Sequence, residues 1–338
     1  MKFSLHIFDV LHGDSFLIRT PQDKIGIIDC HRNGTFIPVL EYIQKNNLRE
    51  IDFICLTHPH SDHYWGMLEL IDHCIENGII IRRFLDAGIT PKELDARFLK
   101  NGADYFAELY ERIVQSSRHD FLHLQECRDG TEVLREPNFV IKALAPHSKT
   151  IRKIIAEKFK YQERILNQKF NHFSIVLLIE TEEHCILLLS DSEITDQKII
   201  AQRNHSLKKR ITVFKLSHHG SQHNYYRLLT EEFRNDNKRY AAISTGCDYG
   251  TPSLEAIRHL GSLNIPIYST NCLDFTNVLY DDEPIDGTIT ELNDAIFTNT
   301  EDVPEPQKII PYHGDITFEF DDDQIKVATE TGREPIVS

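Results

Sequence analysis

One short stretch of the chain is dense in groups that bind metal ions: Thr57-His58-Pro59-His60-Ser61-Asp62-His63. Neutral imidazole nitrogen and carboxylate oxygen are the donors that borderline dications such as Zn²⁺ prefer. His58 and His60, one residue apart, can grip one ion. Asp62 and His63, pointing another way, can grip a second. Two dications bridged by a carboxylate can hold a hydroxide between them at neutral pH and neutralise charge on a phosphoryl or carbonyl oxygen. One loop cannot complete two metal shells, so other segments must add donors. Three places supply them: Asp191 in Ser190-Asp191-Ser192, the pair in His218-His219-Gly220-Ser221, and Asn171-His172 before Phe173-Ser174. One of His218 and His219 would join the second ion. The other would contact the substrate oxyanion or protonate a leaving group, and spacing does not separate them.

Each donor lies at the end of an apolar run of strand type. Ile51 to Leu56 leads into the histidine loop, Cys185 to Leu189 into Asp191, and Val213 to Ser217 into His218, while Ser174 to Glu180 follows His172. Further strands are expected at Phe3 to Val10, Ser15 to Arg19, Ile25 to Asp29, Ala241 to Ser244 and Ile265 to Ser269. Helical spacing covers Pro38 to Lys45, Gly66 to Ile75, about 91 to 116, about 150 to 168, and Leu254 to Gly261. Strands alternating with helices, with antiparallel pairs mixed in, predict an α/β architecture of layered sheets flanked by helices. A final strand pair, Asp315 to Phe320 and Gln324 to Ala328, is expected at a sheet edge.

Composition narrows the setting. No apolar run is long enough for a transmembrane helix, and MKFSLHIFDV does not read as a secretory signal, so no membrane partner is expected. Seven scattered Cys without a C-x-x-C pair fit the reduced thiols of a cytoplasmic protein. The net charge is −15, from 37 Lys+Arg against 52 Asp+Glu. Residues 281–338 hold 16 acidic and 3 basic residues, net −13, which leaves −2 for residues 1–280. The body is thus near neutral and compatible with a nucleic-acid substrate, and the acidity belongs to a C-terminal extension. A basic stretch, Lys149 to Lys169, is a candidate for phosphate contact.

Over roughly residues 3 to 275 these segments resemble the metallo-β-lactamase fold hydrolases, and among them the metal-dependent domain of ComEC-type DNA-uptake proteins. Phe8-Asp9-Val10 with Gly13-Asp14-Ser15 is similar to the opening D-V-x-x-G-D-[AS] turn. Ile27-Ile28-Asp29 is similar to the first-motif aspartate, and His58, His60, Asp62 and His63 match the signature loop. Asn171 to Leu177 resembles N-x-x-S-[LI]-V-L, and Lys215 to Ser221 resembles K-x-x-H-H-G-S. Tyr249 to Pro252 and Ile267 to Thr270 resemble the closing G-x-P and Y-x-T elements.

The resemblance implies a four-layer αββα fold, with two mixed sheets between helices, over a hydrolase domain at 1–280. It implies two divalent ions, Zn or Mn, bridged by Asp191, with Asp29 supporting the ligand loop. The expected activity is a phosphodiesterase or nuclease acting through a metal-bridging hydroxide on a phosphodiester, nucleic acid or nucleotide, with Asp62, His218 and His219 as catalytic residues. The alternatives are a hydrolase of a lactone, thioester or amide on the same fold, or a metal-binding component of a larger complex.

The chain also departs from that pattern. Ser190 replaces a usual Gly, and Tyr64-Trp65 would narrow the pocket mouth. No clear third-motif His is present, so Asn171 or His172 takes its place or one ion binds more weakly. Residues about 82–169 are expected as a helical insert, and 281–338 as an acidic extension packed on or appended to the domain, offering a surface to a protein partner.

Overall fold

The computed structural model describes residues 1–90, 103–161, 167–204, 207–227, 239–246, 251–271, 313–333 and 335. In chain order its strands begin with β1 (Lys2–Ile7), β2 (Ser15–Arg19), β3 (Ile25–Cys30), β4 (Glu50–Ile51), β5 (Phe53–Cys55), β6 (Ile80–Ile81), β7 (Arg83–Asp86) and β8 (His123–Glu126). They continue with β9 (Glu132–Glu136), β10 (Phe139–Ala145), β11 (Val176–Thr181), β12 (Cys185–Leu188) and β13 (Val213–Lys215). The last are β14 (Tyr240–Ile243), β15 (Ile267–Ser269), β16 (Ile316–Asp321) and β17 (Gln324–Thr329).

One sheet runs β17-β16-β1-β2-β3-β5-β7-β8, the other β15-β14-β13-β12-β11-β10-β9, and β4 with β6 forms a small parallel pair. Both large sheets are mixed. β3, β5, β7 and β8 run parallel, as do β12 to β15, and the remaining neighbours are antiparallel. Parallel strands covered on both faces need continuous apolar runs. β3 (IGIIDC), β5 and β12 are accordingly buried along their whole lengths.

The sheets pack face to face through Phe3, Phe16 and Ile27 of the first and Ile141, Leu177 and Ile186 of the second. Helices Met67–Glu76 and Ala103–Arg118 cover the first sheet with Leu70, Ile71, Phe106 and Leu109. Helices Ile194–Arg203 and Leu254–Ser262 cover the second with Ile200, Ile257 and Leu260. Helix, sheet, sheet and helix thus form the four expected layers. The Leu254 helix shows how locally this is encoded. Leu254, Ile257 and Leu260 make its buried stripe, and the Ser253 hydroxyl accepts from the Ala256 amide as N-cap.

One stretch differs from the sequence reading. Residues 82–169 do hold helices, Ala103–Arg118 and Ser148–Tyr161, but they also supply β7 and β8 to the first sheet and β9 and β10 to the second. β8 (HLQE) and β9 (EVLRE) carry enough charge and polarity to hide their strand character, because they lie at sheet edges. The end of the acidic extension forms the strand pair expected at a sheet edge. β16 pairs with β1 along its length, Phe318 and Phe320 are buried, and Phe320 stacks on Phe3 at 4.3 Å. The hairpin is therefore part of the first sheet. Residues 281–312 lie outside the described residues, as do the centre of the basic stretch (162–166), Tyr249-Gly250, Cys247 and Cys272. Cys30, Cys55, Cys74, Cys127 and Cys185 are buried free thiols. Among the described residues no helix is long and apolar enough to cross a membrane.

The β16–β17 hairpin is expected to be required for folding. Phe320→Ala should cost about 3–5 kcal/mol in chemical denaturation. Deleting residues 313–338 should leave β1 as an unpaired edge and the chain aggregation-prone in size-exclusion analysis.

Candidate metal centre

The parallel strands β3, β5, β12 and β13 bring their carboxyl ends to one rim of the sandwich, where ligands of α/β sheets commonly sit. The loops leaving them are conformationally costly. Asp29, Ser190, His218 and His219 adopt φ of 55°, 47°, 50° and 54°, each a left-handed position worth on the order of 1 kcal/mol or more for a non-glycine residue. A Gly would adopt the Ser190 value at less cost. Here the Ser190 hydroxyl donates to Thr57 Oγ1 at 2.8 Å and ties the Asp191 turn to the histidine loop. Gly13 is needed for close approach, since a Cβ there would fall 2.6 Å from both the Asp62 carbonyl oxygen and the His31 ring.

Two donor groups result. His58, His60 and Asp191 form one, and Asp62, His63, Asp191 and His219 form the other, with the ligand atoms of each within 4.8 Å of one another. Asp191 belongs to both. Its Oδ2 lies 3.6 Å from His58 Nε2 and 3.5 Å from His63 Nε2. Hydrogen bonds fix which ring nitrogens face the centre. His63 Nδ1 donates to Asp29 Oδ2 at 2.7 Å, and Asp29 also accepts from the Thr57 amide and hydroxyl. His219 Nδ1 donates to the Ser244 carbonyl at 2.8 Å, leaving Nε2 3.2 Å from Asp62 Oδ2. Both Asp191 oxygens and His63 Nε2 are buried without a hydrogen-bond partner. Orphaned buried acceptors are expensive, and converging imidazole and carboxylate donors suit dications, so the residues fit the expected metal pair. A third grouping, Asp14, Asp29 and His63, is already engaged by protein partners.

The structure separates the two histidines that spacing left open. His219 is fully buried within the second group. His218 is one-third exposed, with Nε2 3.7 Å from Asp191 Oδ2 and Nδ1 3.1 Å from Asn224 Oδ1. His172 joins neither group, because its Nδ1 faces Asp196 Oδ2 at 3.2 Å. Asn171 is buried, and its Nδ2 donates to Glu193 Oε1 at 3.3 Å. Of the two mouth residues, Tyr64 is core, its ring tilted against Phe106 at 4.9 Å, whereas Trp65 is partly exposed beside Arg32.

Electrostatics follow from burying these groups together. Burial would raise the carboxyls of Asp62 and Asp191, but neighbouring imidazoles hold both well below the usual carboxylate range. Burial would lower His63, but Asp191, Asp29 and Asp62 raise it well above an ordinary histidine. Burial, with His63 beside it, keeps His58 low and neutral, and burial does the same for His60.

Three parts of the site were not recognised as such from sequence. Lys215 Nζ donates to Asp14 Oδ2 at 2.5 Å with both side chains fully buried, and Asp14 Oδ1 lies 3.6 Å from His219 Nδ1. Both residues stand in quoted motifs, yet nothing in their spacing announces a pair 201 positions apart. His12 lies with Nε2 3.8 Å from Asp62 Oδ2 and its ring 4.4 Å from that of His219. His31 sits beneath Gly13. Burial pulls both His12 and His31 down to about 4.

Lys215→Met should destabilise the fold by about 3–5 kcal/mol by leaving Asp14 as an uncompensated buried charge. Pairing it with Asp14→Asn should recover much of that loss in a denaturation double-mutant cycle. The metal-free protein should also show a distinctive pH response. A raised His63 stabilises the fold fully below its unfolded value of 6.5, and that contribution is lost as pH rises through the folded value. The His63 contribution should therefore be smaller at about pH 9 than at about pH 6, read as the difference in melting between metal-free wild type and His63→Gln at each pH. Because ligand imidazoles must be deprotonated, cation binding should release protons and tighten with rising pH in calorimetry.

The model of the metallo-beta-lactamase superfamily matches residues 8–137. No curated protein matches the chain. Among solved structures, the metallo-beta-lactamase fold protein YhfI from Bacillus subtilis is 12% identical, with a TM-score of 0.38, over 64% of this chain and 70% of that one. A diphosphatase of the PhnP family is 10% identical, TM-score 0.39, over 80% and 85%. CmlA, a diiron beta-hydroxylase from Streptomyces venezuelae, is 14% identical, TM-score 0.35, over 62% of this chain, which spans about a third (34%) of the hydroxylase. The matched segment, less than half of the chain, contains the Asp29 support and the whole His58–His63 donor loop, and over that segment the chain is similar to the metallo-β-lactamase superfamily.

Proposed function

We propose that the protein is a two-cation hydrolase acting on phosphodiesters, with Zn²⁺ or Mn²⁺ as the cations. The observation that carries the reading is Asp191, a fully buried carboxylate shared by two donor groups with neither oxygen hydrogen-bonded. Bound dications supply Lewis acidity and a water of lowered pKa. The chain's own residues do the rest. His63 and His219, each anchored through Nδ1, hold Nε2 toward the centre against Asp62, and Asp29 and Ser244 keep those rings from turning. His218 is the substrate-facing group. Asn224 holds its Nδ1, and Nε2 of this one-third exposed side chain is placed to receive a proton or deliver one to a leaving oxygen.

A phosphodiester is preferred over an acyl substrate because the Lys215–Ser221 and Asn171–Leu177 segments resemble the DNA-processing branch. The test is a panel of bis-p-nitrophenyl phosphate, single-stranded DNA, nitrocefin and a thioester, with protein loaded with Mn²⁺ or Zn²⁺. Phosphodiester cleavage should appear. It should fall about 100-fold or more in His58→Ala, since even outer-shell changes at metal sites cost about 10–100-fold. His218→Ala should lower kcat by about 10²–10⁴ with metal content unchanged. Turnover of nitrocefin or thioester alone would transfer the assignment to acyl chemistry.

A further inference from the structure

The opening D-V-x-x-G-D turn leaves position 12 unspecified, and this chain places a histidine there. We propose that His12, through Nε2, is a fifth donor to the second group, beside Asp62, His63, Asp191 and His219. The inference rests on the two-cation reading above.

Three distances carry it. His12 Nε2 lies 3.8 Å from Asp62 Oδ2, which is as far as His63 Nε2 lies from the same oxygen, and His219 Nε2 lies at 3.2 Å. Three imidazole nitrogens thus face one carboxylate oxygen. At 3.8 Å the His12 contact is too long for a hydrogen bond. It fits two donors that share one ion, each about 2.0–2.2 Å from it. The His12 ring also lies 4.4 Å from the His219 ring, tilted by 47°. His12 falls outside the four residues whose donor atoms are mutually within 4.8 Å, so it approaches that group from the Asp62 side. Its side chain is 19% exposed, whereas those of His63 and His219 are fully buried, so it meets the group from the solvent side.

The turn that carries His12 is built to hold it there. Leu11 adopts a left-handed φ of 59°, and Asp9 Oδ1 accepts from the Leu11 amide at 3.0 Å. On the other side, the Ser244 hydroxyl donates to the Gly13 carbonyl at 2.5 Å. A Cβ at Gly246 would fall 2.5 Å from the His12 amide nitrogen, so the two backbones meet in close contact. The Ser244 carbonyl also accepts from His219 Nδ1. One short segment past β14 therefore sets both His12 and His219. A strained turn clamped from two sides is the kind of backbone that persists where a side chain must be placed. An added imidazole should also favour Zn²⁺ over Mn²⁺ at this site, because nitrogen donors suit Zn²⁺ and oxygen donors suit Mn²⁺.

Cation binding to the metal-free full chain tests this directly. In wild type loaded with Cd²⁺ and carrying nitrogen-labelled histidine, magnetic resonance should show a cadmium–nitrogen scalar coupling at His12 Nε2 as well as at His63 and His219. In calorimetry, His12→Ala should weaken one Zn²⁺ step by about 10-fold or more and affect Mn²⁺ less. His12→Phe, which keeps a ring against His219 but has no donor, should bind Zn²⁺ as weakly as His12→Ala. Zn²⁺ should also raise the melting temperature of either variant less than that of wild type, each measured against its own metal-free form. Wild type that couples cadmium to His63 and His219 but not to His12 would overturn the assignment of His12 and leave the two-cation reading intact, whatever the variants do. A wild-type chain that binds no ion would overturn both.

Discussion

Four carboxylates, those of Asp14, Asp29, Asp62 and Asp191, crowd one rim of the sandwich, and all but Asp62 are fully buried. So much negative charge cannot leave water unless each group meets a compensating partner. Much of the local architecture answers that demand. Asp14 draws a lysine into the interior, Asp29 takes a ring proton from His63 and two donors from Thr57, and Asp62 faces His219. Asp191 alone of the four keeps both oxygens without a hydrogen bond. The imidazoles beside it offset its charge, and it is the group for which a cation is the natural partner.

These partners also join the layers. Asp29 belongs to β3 and Asp14, Asp62 and His63 to connections of the first sheet, while Asp191, Lys215 and His219 belong to the second. The Asp14–Lys215 pair crosses between them below the site, and the Ser190–Thr57 hydrogen bond crosses beside it. The four left-handed loop residues can be sustained because both neighbouring sheets and these cross-links over-determine their positions. Strain, buried charge and ligand geometry are therefore parts of one balance rather than separate features.

Much of this was legible in the sequence, for a physical reason. The parallel central strands must be apolar throughout, so IDFICL, CILLL and VFKLS stand out, and the polar residues at their ends mark the rim. That logic located His58, His60, Asp62, His63, Asp191, His218 and His219 at the correct ends of the correct strands. It was less informative where strands are short and charged. β8 and β9 look like surface helix or loop because edge strands carry polar residues. The β16–β17 strand pair was legible, but its tie to β1 spans more than 300 positions. The roles of Lys215 and His12 depend on long-range contacts as well, and a buried lysine in VFK reads as an ordinary strand residue until its partner is placed.

The division between His218 and His219 shows why neighbouring identical residues need tertiary context to acquire roles. Both adopt nearly the same left-handed backbone, so the local chain does not distinguish them. What does is where the next contacts fall. The Ser244 carbonyl, just past β14, captures Nδ1 of His219 and drives that ring into the buried group. His218 instead meets Asn224, whose own Nδ2 is 3.3 Å from the Ser192 carbonyl and whose carbonyl accepts from Gln197. A polar chain thus runs from the Asp191 turn through Gln197 and Asn224 to the His218 ring. The turn that supplies the shared carboxylate also sets the orientation of the partly exposed His218 imidazole beside it, so moving Asp191 would displace His218 as well.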